Sequence, residues 1–258
     1  MSMKDLFSVT GKVALVTGGS RGIGLMMARG LVENGAKVYI AARKTADVDA
    51  AAAELSQVGT CIGLTADLGT EAGCQALVDE LRQHESQLDI LINNAGANWG
   101  APLAEFPDSA WDKVLALNVK GVFHLTKLCV ELLATAAQPG DPARVINVGS
   151  IDGIHVPELE TYSYSASKAA VHQLTKTLAR KLAKQGITVN AVAPGPFESK
   201  MMAATLDNFK ENIVAGCPLG RIGEAEDMAG IALYLSSRAS AYVTGVVIPV
   251  DGGILLVG

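Results

Sequence analysis

An α/β fold, with strands alternating with helices around a parallel sheet covered on both faces, is what this sequence of 258 residues predicts. Three observations predict it. Short β-branched runs recur along the chain and alternate with longer stretches whose apolar residues fall at helical spacing. The short runs are almost continuously apolar, as strands buried on both faces are. The first run ends in a glycine cluster and passes directly into a helical pattern, the signature of a βαβ unit.

The elements follow in order. Lys12–Thr17 (KVALVT) reads as the first strand. Ile23–Asn34 is a helix, with Ile23, Met26, Met27 and Leu31 on one face and Gly35 as its stop. Lys37–Ala42 is the second strand, alanine-rich Asp47–Gln57 a helix, Cys61–Ala66 the third strand and Glu71–His84 a helix. Leu88–Ile92 is a strand, followed by one long helical region, Ser109–Ala136. Arg144–Val148 is a strand, Tyr162–Lys184 a second long helix and Ile187–Val192 a strand. Gly195–Gly216 reads as irregular or partly helical, Glu224–Ser236 as a helix and Val246–Val250 as the last strand. With no linker, composition shift or repeat, residues 1–258 read as one dinucleotide-binding and catalytic domain.

Composition narrows the function. Hydrophobic residues make up 49% of the chain, enough for a sizeable core, and charged residues only 18%. The net charge of −5 lacks the basic excess of a nucleic-acid binder. No signal peptide or membrane span is read, and Met1–Thr10 has no long apolar stretch. Cys61, Cys74, Cys129 and Cys217 are scattered and lack CxxC spacing, as His84, His124, His155 and His172 lack ligand spacing. The expectation is reduced thiols, no metal and a cytoplasmic location.

The turn Thr17-Gly18-Gly19-Ser20-Arg21-Gly22-Ile23-Gly24 joins the first strand to the first helix. Glycines there permit positive φ and close backbone approach, and free N–H groups at the helix start suit a pyrophosphate. A glycine-rich stretch alone is also an ordinary tight turn; the strand before it and the helix after it favour the nucleotide reading. NAD-binding versions place an acidic residue about 20 residues on, at the end of the second strand. Here that strand ends in Arg43, and Arg21 lies within the glycine turn. Two guanidinium groups suit a ribose 2′-phosphate, so the cofactor read is NADP(H) rather than NAD.

Tyr164-Ser165-Ala166-Ser167-Lys168 sets Tyr164 and Lys168 on one helix face. A phenol of pKa near 10 is a poor base at neutral pH. An ammonium at about 4 Å and an effective dielectric near 20 lowers that pKa by up to roughly 3 units, which makes Tyr164 a usable general acid or base. Tyr162 competes, but lies further round the helix from Lys168. Ser150 ends the Asn147-Val148-Gly149-Ser150 strand exit, where open α/β sheets bind ligands, and is placed to steady a substrate oxygen. Asn93-Asn94-Ala95-Gly96 ends another strand, and Asn118 lies inside a helical region that disfavours Asn. Taken singly, each of these also reads as a turn, cap or packing residue.

Together they resemble the short-chain dehydrogenase/reductase family over essentially the whole chain. Thr17–Gly24, Asp67-Leu68, Asn93–Gly96, Asn118, Ser150, Tyr164–Lys168 and Pro194-Gly195 stand in the family's order. The resemblance implies a Rossmann-type, doubly wound, seven-stranded parallel sheet in three α/β/α layers. It implies that Tyr164 exchanges the proton, Ser150 steadies the substrate oxygen, Lys168 lowers the tyrosine pKa and binds the nicotinamide ribose, and Asn118 holds a proton-relay water. It further implies cofactor contacts from Gly18, Ser20, Arg21, Gly22, Ile23 and Gly24, from Asp67 and Leu68 near the adenine, from Asn94, Ala95 and Gly96 near the ribose, and from Pro194, Gly195 and Phe197. Within the family the chain is most similar to bacterial 3-ketoacyl reductases of the type associated with rhamnolipid synthesis. One departure is that Pro196-Phe197-Glu198-Ser199 follows Pro194-Gly195 where an aliphatic residue and a threonine are usual.

Three functions follow: a reductase of ketones or 3-oxoacyl thioesters, a dehydrogenase of a sugar, polyol or hydroxysteroid, and a non-catalytic NADP-binding regulator. An altered Tyr164 or Lys168 would favour the last, and both are present. Asn98, Trp99, Asp152, His155, Met201, Met202, Leu206 and Phe209 lie on the loops where this fold sets its substrate. The expected partners are a small carbonyl or alcohol and other copies of the chain, as a homotetramer or homodimer paired through the two long helices. The apolar Ile254–Val257 tail either joins an interface or finishes the core.

Overall fold

A computed structural model describes residues 3–257. Met1, Ser2 and Gly258, which end the N-terminal stretch and the tail read above, lie outside the described residues.

A short helix α1 (Met3–Leu6) precedes strand β1 (Val13–Thr17). The alternation then runs α2 (Gly22–Glu33), β2 (Lys37–Ala42), α3 (Thr45–Leu55), β3 (Thr60–Thr65), α4 (Glu71–His84) and β4 (Ile90–Asn93). The second half runs α5 (Asp108–Leu115), α6 (Val122–Ala136), β5 (Ala143–Val148), α7 (Tyr162–Leu182), β6 (Ile187–Pro194), α8 (Ala203–Ala215), α9 (Ala225–Ser236) and β7 (Val247–Val250). The strands form one seven-stranded sheet in the order β3-β2-β1-β4-β5-β6-β7, and every pairing is parallel.

Strand alternation builds two cores. In β1, Ala14 and Val16 enter the layer that Met27 and Leu31 of α2, Leu55 of α3 and Met228 of α9 complete. Val13 and Leu15 enter the opposite layer, with Leu77 and Leu81 of α4, Leu125 and Cys129 of α6 and Ala179 of α7. A period of two on a fully covered strand explains why β1 reads as an unbroken apolar run. Local chemistry fixes several ends. Thr70 caps α4 by accepting the Gly73 N–H at 3.0 Å, and Arg82 and His84 sit in its last turn. Glu224 and Asp227 form a reciprocal capping box at the start of α9.

Two expectations are corrected, and the partly helical reading of Gly195–Gly216 is made definite. The long helix read over Ser109–Ala136 is broken by a π-helical turn, Ala116–Gly121, between α5 and α6. The stretch Gly195–Gly216 contains a full helix, α8, none of whose residues is fully buried. The strand read as Leu88–Ile92 begins at Ile90 and includes Asn93, because Leu88 and Asp89 are held by Leu132 and Val13 ahead of the ladder. No helix of the described residues is long and apolar enough to cross a membrane, and no cluster of metal-ligating residues occurs among them. All four cysteines are free and buried, and burial pushes the Cys61 and Cys129 thiols up to about 12.

Candidate active site

The strand order reverses between β1 and β4, so the helices leaving these strands diverge and a crevice opens beyond their carboxyl ends. The glycine turn closes one side of it. Gly18 lies at φ +64°, and a β-carbon there would meet Asn94 Nδ2 at 2.7 Å. Gly24 is tighter still, since its β-carbon would meet Asn94 Nδ2 and the Gly18 carbonyl oxygen, each at less than a normal contact. Asn94 donates to the carbonyls of Thr17 at 2.9 Å and Gly18 at 3.2 Å, so its side chain holds the turn in shape. Thr17 Oγ1 accepts the N–H groups of Asn94 at 2.9 Å and Ala95 at 3.0 Å. The residue preceding α2, Arg21, makes no side-chain cap to its first-turn N–H groups. An uncapped helix start behind a glycine turn is the donor set a pyrophosphate takes.

Arg43 is exposed at the end of β2, and Arg21, also exposed, has Asp47 at 3.9 Å as its ionic partner among the described residues. Arg21 thus lies in the glycine turn and Arg43 directly after β2, both open to solvent. Ser20 and Ile23 lie on the turn and the first helical turn. Asp67 is exposed and accepts the Gly69 N–H at 3.1 Å. Two of the expected cofactor contacts, Leu68 and Phe197, have buried side chains. The Leu68 side chain is buried in the core beneath α4, and Phe197 is only 2% exposed in the opposite core, against Gly223. Both are large and apolar, and burial turns their side chains inward. Pro194 ends β6, and Gly195 follows it against Asp251. Ser199 comes close to the glycine turn, 3.1 Å from where a Gly22 β-carbon would sit.

The predicted proton-transfer residues meet beyond β5. Ser150 begins the 3₁₀ turn Ile151–Gly153 and is buried. Its Oγ accepts the Asp152 N–H at 3.1 Å and lies within hydrogen-bond reach of the Tyr164 hydroxyl. Lys168, one helical turn on from Tyr164, is buried with Nζ donating to the Val148 carbonyl at 2.8 Å. Tyr162 is elsewhere: its hydroxyl donates to Glu160 at 2.7 Å and its ring packs edge-on to Phe106.

Here the electrostatic expectation is corrected. The Lys168 ammonium lies 5.4 Å from the centre of the Tyr164 ring and is bound to a carbonyl rather than to the phenol. Burial therefore prevails and pushes the Tyr164 hydroxyl up to about 12, with the Ser150 hydrogen bond opposing. Burial also brings Lys168 down to about 8.

Asn118 sits in the π-helical turn with its side chain engaged by protein. Its Oδ1 accepts the Ala97 N–H at 2.8 Å, and its Nδ2 donates to the Ala97 carbonyl and the Ser167 hydroxyl, both at 2.9 Å. Gly96 lies in the same pocket, and a β-carbon there would be 3.4 Å from Asn118 Oδ1 and 3.8 Å from Lys168 Nζ. Sequence reasoning missed the ladder beneath the site. Asn93 donates to Thr126 and Asn147, and Asn147 donates to Thr175, tying β4, β5, α6 and α7 together. The signal was present, since Asn within an apolar run is a polar group that burial obliges to find partners.

A family model described as short chain dehydrogenase matches residues 12–209. The chain is 46% identical over 253 residues to the rhamnolipids biosynthesis 3-oxoacyl-[acyl-carrier-protein] reductase of Pseudomonas aeruginosa, covering 97% of this chain and 99% of that one. It is 35% identical to the gluconate 5-dehydrogenase of Gluconobacter oxydans, covering 98% of each. Among solved structures, the Pseudomonas aeruginosa RhlG/NADP active-site complex superposes with a TM-score of 0.94 at 46% identity, over 98% of this chain and 99% of that one. With this fold, this order of motifs and these matches, the chain belongs to the short-chain dehydrogenase family of oxidoreductases.

Proposed function

We propose that this chain is a single-domain, NADP(H)-dependent reductase that converts a ketone or 3-oxoacyl thioester to a secondary alcohol. The observation that carries this reading is the convergence of Ser150, Tyr164 and Lys168 beyond β5, across the crevice from an uncapped glycine turn flanked by Arg21 and Arg43. When bound, the reduced cofactor would supply a hydride, which carries both electrons to the carbonyl carbon. Tyr164, held protonated by its burial, donates its proton to the carbonyl oxygen. Ser150 donates a hydrogen bond to that oxygen and stabilises its developing charge. Lys168 holds the nicotinamide ribose, and Asn118 keeps the Ala97 loop on α7 beside the relay water. The first-turn N–H groups of α2 would hold the pyrophosphate, and Arg21 with Arg43 would hold the 2′-phosphate.

The similar reductase and the similar NADP complex from Pseudomonas aeruginosa support the substrate class and the cofactor. The likeness to a gluconate 5-dehydrogenase favours a second reading, oxidation of a sugar or polyol. We further propose a cytoplasmic homotetramer or homodimer. Phe123 on α6, and Tyr242, Leu256 and Val257 near the C-terminal end, offer exposed apolar surface for such pairing.

The test is NADPH oxidation at 340 nm with a panel of ketones and 3-oxoacyl thioesters, and NADP+ reduction at 340 nm with sugar acids and polyols, each beside Tyr164→Phe. Turnover of a ketone or thioester with a loss of about 10²-fold or more in the variant supports the reading. Turnover of sugar acids alone establishes the second.

A further inference from the structure

Two loops leave the proposed proton-transfer residues, and one carboxylate joins them. Residues 97–102 follow Gly96, where a β-carbon would lie 3.8 Å from Lys168 Nζ. Residues 154–161 follow the 3₁₀ turn that Ser150 begins and lead into α7, which carries Tyr164 and Lys168. The first loop is pinned at its start by Asn118, which makes two hydrogen bonds to Ala97. Glu160 pins its far end. Glu160 Oε1 accepts the Leu103 N–H at 3.0 Å and the Tyr162 hydroxyl at 2.7 Å. The Glu160 carbonyl accepts the Ala101 N–H at 3.3 Å, and a β-carbon on Gly100 would lie 3.7 Å from the Thr161 methyl. The strap frames an apolar groove. Leu103 and Tyr162, the two donors to the carboxylate, line a groove of about 600 Å³ together with Phe106, Val156, Leu159 and Ser165. Phe106 packs edge-on to Tyr162, and Leu103, Val156 and Leu159 are exposed. Ser165, next to Tyr164 in α7, brings the groove to the helical turn that carries the proton donor.

We propose that Glu160 is a positioning residue that straps the two loops together and so holds an apolar groove for the alkyl chain of a 3-oxoacyl thioester longer than acetoacetyl. The inference rests on the reductase reading above. Both walls of the groove continue from the proposed catalytic residues, so a substrate chain leaving the reacting carbonyl meets them first. Apolar side chains that face water on both walls gain by covering such a chain, at about fourfold in affinity for each methylene removed from water. A carboxylate oxygen that accepts one donor from each wall fixes their separation by two charge-assisted hydrogen bonds. Lys168 and Asn118 keep their own bonds to Val148, Ala97 and Ser167 without it. The strap therefore acts on the binding of the chain and leaves the chemical step alone, which separates KM from kcat.

Two measurements on the full chain test this. The first follows NADPH-dependent reduction of acetoacetyl-CoA and of 3-oxododecanoyl-CoA. Glu160→Ala should raise KM for the longer thioester by about tenfold, and leave its kcat and both constants for acetoacetyl-CoA within about twofold. Glu160→Gln, whose amide oxygen can accept both hydrogen bonds, should restore most of the loss. The second is amide hydrogen exchange at Leu103, which reads the strap without any substrate and should quicken by about tenfold in Glu160→Ala. Unchanged exchange overturns the strap, and faster exchange with an unchanged ratio of the two KM values overturns its role in chain binding. A lower mass by light scattering in Glu160→Ala, with that ratio unchanged, gives the groove to a second copy of the chain and overturns the alkyl-chain assignment. A parent protein that reduces neither thioester overturns the reductase reading itself, and with it the groove's occupant.

Discussion

At the scale of single residues, two buried groups make the stability of the chain depend on pH in opposite senses. Lys168 is held near 8 in the folded chain against an ordinary value of 10.5. Between those values the unfolded chain binds the proton that the folded chain has released, so stability rises with pH from about 8 to 10.5. Tyr164 is held near 12 against 10.0, so over that interval the folded chain keeps a proton the unfolded chain has lost, and stability falls as pH rises. Lys168→Met removes the first effect. Urea unfolding of both proteins at pH 7 to 10 should show the parent gaining on the variant as pH increases; parallel curves would refute the assignment. In the proposed function Arg43, with Arg21, favours NADPH by pairing with its 2′-phosphate. Arg43→Asp should lower the ratio of kcat/KM for NADPH over NADH by about tenfold to a hundredfold, the worth of a lost charged hydrogen bond. An unchanged ratio would place the 2′-phosphate elsewhere.

At the scale of elements, the glycine turn and the end of β4 act as one unit. Asn94 lies on β4's exit yet supplies the bonds that shape the turn after β1, and Gly24 leaves the room its side chain needs. Gly24→Ala places a β-carbon against both Asn94 and the Gly18 carbonyl. It should cost about 1–3 kcal/mol by overpacking and weaken NADPH binding as the N–H groups lose alignment. Thermal melting and a fluorescence titration would report the two effects, and an undisturbed affinity would deny the turn its role. The helix joining β4 to β5 shows where element reading stops short. Its apolar spacing predicts one helix across Ser109–Ala136, but a π-helical turn at Ala116–Gly121 interrupts it and sets Asn118 toward the Ala97 loop. Extra residues in a helical turn often accompany functional sites, and they leave the apolar periodicity nearly unchanged.

At the scale of the whole molecule, the parallel sheet with helices on both faces gathers the carboxyl ends of β1, β4 and β5 into one crevice. The exposed tail belongs to this scale too: Leu256 is 85% exposed and Val257 64% exposed, too open to finish the core. Removing residues 254–258 should reduce the mass seen by light scattering if the tail joins an interface, and an unchanged mass would assign the pairing to other surfaces.

The alternation of strands and helices, the glycine turn, and the candidate set Ser150, Tyr164 and Lys168 were determined by the sequence itself. They depend on local periodicity and on residue types close together in the chain. Tertiary structure decided what depends on distant neighbours. It turned Leu68 and Phe197 into the core, spent the Asn94 amide on backbone carbonyls and the Asn118 amide on Ala97 and Ser167, and directed Lys168 toward the Val148 carbonyl. It also decided that burial outweighs the ammonium in setting the Tyr164 pKa, because desolvation is summed over everything packed around the phenol and no spacing along the chain records that sum.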